Sequence, residues 1–220
     1  MSPFSSKSIN KAHDIRRFQF RDTPFVALMN KRIYNVLIIA SQYDMFILED
    51  DGRVDEQIFN EYTSLSLRYA PRFTQVVNIK QAYEELDSNH FELIICMPNM
   101  DKREVFEELR AIDRKYPHIP IVLLTPFSKS VTRLIEKEDL TGIDYVFSWL
   151  GSADLLLAII KLIEDKMNVE HDVKTVGVQT IMLVEDSVRF YSSALPLLYK
   201  YVLNESKEFS KEALNDHLRM

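Results

Sequence analysis

Glycine and cysteine are scarce in this sequence, which has four glycines and one cysteine in 220 residues. Phosphate-binding loops and the nucleophile turn of hydrolases depend on glycines at set spacings, and none of those motifs is present. The single cysteine, Cys96, excludes an internal disulfide and lies in the most apolar run of the chain. This position indicates a packing role for the thiol rather than a nucleophilic one.

Long hydrophobic runs are also lacking. No run approaches the length of a membrane span, and the first residues contain no apolar core of a secretion signal. The five histidines share no metal-ligand spacing and are interpreted as surface or loop residues; they are His13, His90, His118, His171 and His217. We therefore expect a cytoplasmic protein that has no membrane partner.

The formal net charge is −6, but it is unevenly distributed. Residues 1–33 carry seven lysines and arginines against two aspartates, so the rest of the chain is more acidic than the total suggests. An acidic body argues against a nucleic-acid partner, since that affinity comes largely from neutralising phosphates. The basic segment is predicted to be a solvated arm with a short helix at 24–32, or an arm that docks on an acidic surface such as its own.

Short apolar runs alternate with segments of helical spacing along the middle of the chain. The predicted strands are 34–40, 73–78, 91–98, 119–125 and 143–148, and the predicted helices are 54–69, 79–88, one capped by Asp101, 128–137 and 152–167. This alternation is typical of an α/β fold, a doubly wound parallel sheet of five strands with helices on both faces.

A loop at 41–53 is predicted between the first strand and the first helix, and it is longer than usual. It carries Glu49, Asp50 and Asp51 before Gly52. This loop does not fit a calcium-binding EF-hand. With Gly52 at the sixth position, the first and twelfth ligand positions would be the apolar Ile47 and Ile58. An acidic turn is the expected structure. The alternative is that Asp44, Glu49, Asp50 and Asp51 of this loop are metal ligands.

Residues 34–167 resemble the receiver domain of bacterial response regulators, a flavodoxin-like fold with strand order 2-1-3-4-5. The resemblance is carried by F-E-L-I-I at 91–95, P-H-I-P-I-V-L-L-T at 117–125 and G-I-D-Y-V-F at 142–147. It implies the boundaries of a receiver-like domain at 34–167, after the arm at 1–33.

Receivers of this family hold Mg²⁺ with an acid pair after the first strand and phosphorylate an aspartate that ends the third. A threonine or serine ends their fourth strand, and a lysine ends their fifth. The corresponding positions here are Ala40, Ser41, Met97, Thr125 and Ser148, of which only Thr125 matches. The resemblance thus implies a degenerate receiver, or pseudo-receiver, that forms no aspartyl phosphate and needs no cofactor.

The tail contains a second, shorter similarity. I-M-L-V-E-D-S at 181–187 aligns with V-L-I-I-A-S-Q at 36–42, and it includes the acid pair as Glu185 and Asp186, which are candidate Mg²⁺ ligands. A segment with a helical apolar face follows. After a linker at 168–178, residues 179–220 thus look like the first strand and helix of an incomplete second receiver.

The helix at 152–167 is apolar around more than one face. One interpretation is that the tail unit covers the second face. The other is a protein partner or a homodimer contact, with Trp149, Leu156, Ile160 and Ile163 in the interface.

The leading functional prediction is a non-catalytic signalling or regulatory module that acts by protein–protein contact and is not an enzyme. One alternative is the N-terminal regulatory part of a longer phosphotransferase, since the chain is similar to that region of Bacteroidetes proteins of the phosphoenolpyruvate synthase or pyruvate phosphate dikinase kind. Its downstream domains would then be further partners. Another alternative is a phosphorelay response regulator that works through the second receiver.

Overall fold

A single parallel sheet of five strands organises the chain. The computed structural model describes residues 28–50, 52–97, 104–126, 138–175 and 177–217, with side chains described up to residue 208. The sheet has the order β2-β1-β3-β4-β5. Its strands are β1 (Asn35–Ile39), β2 (Arg72–Val76), β3 (Leu93–Cys96), β4 (Ile121–Pro126) and β5 (Tyr145–Trp149). The flavodoxin-like topology is therefore as predicted.

Helices cover both faces of this sheet. They are α1 (Gln42–Leu48), α2 (Val54–Ser64), α3 (Ile79–Ser88), α4 (Glu104–Lys115), α5 (Ala153–Thr175) and α6 (Val188–His217). Residues of α1, α2, α5 and α6 belong to one buried cluster, and residues of α3 and α4 belong to a second one. The sheet separates the two clusters, which gives the three layers of a doubly wound fold.

The strand β1 shows how the sequence creates these two cores. Val36 and Ile38 lie in one cluster, whereas Leu37 and Ile39 lie in the other. Successive side chains of a strand point to opposite faces, so a strand with helices on both sides must be apolar at every position. This explains why uninterrupted apolar runs identified the strands.

Part of the predicted loop at 41–53 is helical. Ser41 caps α1, because its Oγ accepts the Asp44 N–H at 3.2 Å, and Met45 and Leu48 are buried on one side of the helix. A helix of seven residues offers too few positions for a clear period, which is why the sequence analysis missed it.

The helix predicted at 54–69 is shorter in the structure. It ends at Ser64, and the chain then bends through Ser66 and Tyr69, whose φ angles are 56° and 61°. Leu65 and Leu67 still pack on the core from this bend. Their apolar spacing extended the helical pattern beyond the real end of the helix.

The predicted helix at 24–32 is wrong for the residues that the structure describes. Residues 28–34 are not helical and run alongside α5. The earlier part of that prediction lies outside the described residues, as do Asp51, the Asp101 cap and the helix at 128–137.

The C-terminal part differs from its prediction in two respects. The last helix of the receiver-like region continues to Thr175, across most of the segment predicted as a linker. Residues 177–187 form no strand, and Ile181, Met182 and Val184 are exposed there. The apolar composition of this segment favours a strand, but none of the described strands lies beside it to form the hydrogen bonds of a sheet. The helix predicted after it is present as α6.

The four residues proposed as an interface are buried in this chain. Leu156 and Ile160 are fully covered, Ile163 is 1% exposed and Trp149 is 8% exposed. The tail helix α6 packs against α5 and β5, so the second apolar face is covered internally. These four side chains therefore contact the rest of this chain, and a protein partner or homodimer contact through this helix stays a prediction. Within the described ranges, no helix combines the length and apolar character needed to cross a membrane.

Candidate functional site

The carboxyl ends of the strands form the edge where sheets of this topology carry their sites. Parallel pairing brings Ala40, Met97, Thr125 and Ser148 to this one edge, and each is at most 6% exposed. The Met97 N–H donates to the carbonyl of Ile39 at 2.8 Å, which continues the sheet pattern beyond β3. The predicted positions thus meet in space, but as buried apolar and hydroxyl groups.

Two of the hydroxyls at this edge, those of Thr125 and Ser41, have internal partners. Thr125 Oγ1 donates to the carbonyl of Phe147 at 3.2 Å and is buried. Ser41 Oγ donates to Asp44 Oδ2 at 2.6 Å while it caps α1. The one threonine that matches the receiver pattern therefore links β4 to β5.

The donor set at this edge does not fit Mg²⁺. That ion prefers carboxylate oxygens and water in an octahedral arrangement, whereas Ala40 and Met97 supply no oxygen from their side chains. Asp44 is the carboxylate beside Ser41, and it is held by the Ser41 hydroxyl. Among the described residues, no three histidine, cysteine or acidic side chains lie together so as to hold a metal ion. Asp50 is exposed on the loop after α1.

Cys96 is expected to resist thiol reagents in the folded protein. Its side chain is 1% exposed, and burial, together with the nearby charges of Glu108 and Asp44, raises the pKa of the thiol to about 12. Since the thiolate is the reactive form, we expect no reaction with Ellman's reagent at pH 8 in buffer and one thiol per chain in urea. Rapid labelling of the folded protein would contradict this burial.

The outer edge of β5 is covered by the start of α6. The Ser148 N–H donates to Ser192 Oγ at 2.9 Å, and Ser192 Oγ donates in turn to the carbonyl of Val188. Beside it, the ring of Tyr191 meets Phe147 edge-on, with centroids 5.2 Å apart. This contact was missed by the sequence analysis, although a serine on the apolar face of a helix was a signal for it.

A row of polar side chains on α5 is the largest feature that sequence reasoning missed. Lys161 and Glu164 form an ion pair at 2.7 Å, and their side chains are only 6% and 3% exposed. Asn168 and Asp172 continue the row at helical spacing and are also buried. Polar residues repeated every three or four positions on an otherwise apolar helix were the available signal.

This row holds the extended segment at 28–34 by its backbone. Glu164 Oε1 accepts the N–H of Ile33 at 3.0 Å. Asn168 accepts the N–H of Lys31 at 2.8 Å and donates to the carbonyl of the same residue at 2.7 Å. Glu164 and Asn168 thus satisfy main-chain groups that the extended segment would otherwise leave unpaired, while Lys161 neutralises Glu164.

A groove of about 870 Å³ lies between α5, α6 and the outer side of β5. Residues 178–186 form one wall of this α5–α6 groove, and its floor is mostly aliphatic and aromatic. Glu185 and Asp186, the predicted acid pair, line it and are exposed. Glu185 Oε1 accepts the N–H of Ser187 at 2.9 Å. None of the carboxyl-edge residues Ala40, Met97, Thr125 and Ser148 lines this groove, so the acid pair is separate from that edge.

Solved structures with a similar fold include several receivers. The response regulator protein TrrA from Thermotoga maritima, in complex with Mg²⁺ and BeF, has 16% identity and a TM-score of 0.42, covering 59% of this chain and 98% of that one. The signal receiver domain of an HD domain-containing protein from Pseudomonas fluorescens Pf-5 has 22% identity and a TM-score of 0.42, covering 64% and 94%. NtrX from Brucella abortus, in complex with ADP, has 14% identity and a TM-score of 0.47, covering 78% and 34%.

At these identities the similarity concerns the fold alone. None of the protein-family models matches this chain, and none of the curated proteins does. The function has to be argued from the residues themselves.

Proposed function

We propose that this chain is a non-catalytic regulatory module, a receiver-like domain that acts through protein contact instead of phosphoryl transfer. The observation that carries this proposal is the chemistry of the carboxyl edge. Transfer of a phosphoryl group to a protein needs an acceptor and positive charge to stabilise the transferring group. The edge presents Met97 and Ala40 where a carboxylate and its metal ligand would be needed, and Ser148 where a lysine would be.

Exposed aromatic side chains on the helices that follow β1 support a role in contact. Tyr43 and Phe46 lie three positions apart on one face of α1 and are 72% and 69% exposed, and Phe59 of α2 is 62% exposed. Exposed large apolar side chains that form a patch are typical of sites that bind another protein. Regulation by such a surface requires neither a metal nor a phosphate.

Incubation with acetyl phosphate and Mg²⁺ tests the proposal. We expect intact-mass spectrometry to show no phosphoryl adduct on this chain, because Met97 stands at the described end of β3 where the acceptor carboxylate would be needed, while a phosphorylatable receiver treated in parallel gains one. Borohydride reduction followed by peptide mapping would locate any aspartyl phosphate. Phosphate on an aspartate between residues 34 and 167 would overturn the proposal.

A second candidate function is phosphorylation through the C-terminal unit. It is favoured by one observation, the exposed pair of Glu185 and Asp186 at the end of an exposed apolar segment. In a receiver such an acid pair holds Mg²⁺ and is not itself phosphorylated, so saturable Mg²⁺-dependent shifts of the Glu185 and Asp186 resonances in NMR would support this second candidate, and no shifts would count against it. The alternative that this chain is the N-terminal regulatory part of a longer phosphotransferase stays a prediction. In that case the module would regulate the phosphotransferase domains.

A further inference from the structure

The α5–α6 groove combines an apolar floor with an acidic lining. Its floor includes Val169, Leu195 and Leu198. The charged side chains that line it are Asp144, Asp165, Lys166, Asp172, Glu185 and Asp186. Lys166 is paired with Asp144 at 2.8 Å, Tyr199 donates to Asp165 at 2.7 Å, and Asp172 contacts His171 at 2.9 Å. The exposed carboxylates that an incoming cation can reach are therefore those of Glu185 and Asp186. A groove of this kind fits a segment that carries both cations and large apolar side chains.

The described chain begins next to this groove. The segment at 28–34 runs antiparallel to α5. Its later residue Ile33 bonds to Glu164, and its earlier residue Met29 bonds to Asp172, two turns closer to the C-terminal end of the helix. Moving toward the N-terminus therefore moves toward the C-terminal end of α5. Asp172 lies at that end and also lines the groove. Residues before 28 thus start at its margin.

The sequence just before that point has the required chemistry. Residues 16–21 read R-R-F-Q-F-R, with three arginines and two phenylalanines and no acidic residue. Arginine pairs well with carboxylates, and each phenylalanine can bury roughly 150–250 Å². The six residues between this segment and residue 28 can span about 20 Å when extended, so the segment reaches the groove from its margin.

We propose that the α5–α6 groove binds residues 16–21 of the same chain. The phenylalanines occupy the apolar floor, and the arginines pair with the exposed carboxylates of Glu185 and Asp186. The arm thereby covers apolar surface at the junction of α5, α6 and the extended wall at 178–186. This contact is independent of any chemistry at the carboxyl edge.

Disulfide trapping in the full chain tests this contact. Gln19→Cys keeps both phenylalanines and all three arginines, and Val169→Cys places its partner in the groove, where Val169 is 44% exposed. The matched control is Gln19→Cys with Val77→Cys, since Val77 is 45% exposed and lies after β2, away from the groove. The native Cys96 is buried and can remain.

We expect the 19–169 disulfide to form within one chain about tenfold faster than the 19–77 disulfide, because docking raises the local concentration of the two thiols. Arg16→Glu with Arg17→Glu should remove this advantage. The same charge change at Lys7 and Lys11 should leave most of it, and added salt should reduce it. Equal rates for the two pairs, no disulfide in either, or products that link only separate chains would overturn the proposal.

Discussion

Glu164→Ala is expected to lower the free energy of unfolding by about 3–5 kcal/mol, the range for breaking a buried ion pair. The substitution leaves the Lys161 ammonium buried without its partner, and it removes the acceptor of the Ile33 N–H. Urea denaturation at pH 7, followed by far-ultraviolet circular dichroism, measures this loss. We also expect the segment at 28–34 to detach earlier, which amide hydrogen exchange at Lys31 and Ile33 would report.

Two further variants separate the buried pair from charge removal in general. Lys161→Met combined with Glu164→Leu should recover most of the lost stability, because no unpaired charge remains inside. Glu170→Ala removes a carboxylate from the exposed pair with Lys174 on the same helix and should cost less than about 0.5 kcal/mol. If Glu164→Ala behaved like Glu170→Ala, the buried row would not hold the segment at 28–34 in the way described.

Leu156→Ala is expected to destabilise the protein by about 3–5 kcal/mol without changing its molar mass in solution. Leu156 of α5 is fully buried in the core, so its truncation leaves a cavity and does not alter the surface. Urea denaturation gives the stability, and light scattering coupled to size exclusion gives the mass.

The control for this variant is Val169→Ala on the same helix. Val169 is 44% exposed, and its truncation should change the stability by no more than about 0.5 kcal/mol. If Leu156→Ala kept its stability but converted a larger assembly into smaller ones, Leu156 would lie in an interface between chains and the prediction would be wrong.

The fold was predictable because the inner strands β1, β3 and β4 are buried on both sides. Strands in that position must be apolar throughout, as in Leu93–Cys96 and Ile121–Pro126, and such runs stand out in any sequence. Right-handed connections between parallel strands then give the doubly wound arrangement, whereas the strand order was implied by the resemblance to receivers. Apart from the short helix α1, the main element missed depends on partners distant in the chain. The segment at 28–34 is extended because α5 bonds its backbone across 131–143 residues, and no local pattern contains that information.

The residues at the strand ends could be read from the sequence, but not the side chains that surround them. The sequence places Ala40, Met97 and Ser148 at strand ends, and the structure brings those ends together at one edge. What the sequence could not supply was the use of Ser192 and Tyr191 to cover β5, since that contact depends on where the tail helix lies. The strand predicted at 181–187 failed for the opposite reason. Its composition favours a strand, but no described strand lies beside it to complete the bonding.

The covering of β5 by α6 also determines how the sheet is protected from self-association. An open strand edge is a template for pairing with other chains. At β5 that edge is blocked by a helix, which leaves β2 as the open edge among the described strands. β2 has five residues, of which Arg72 and Gln75 are exposed, and such short, polar edges pair poorly. The aggregation resistance of this protein thus depends on the attachment of one helix, and loss of α6 would uncover a strand that contains Phe147 and Trp149.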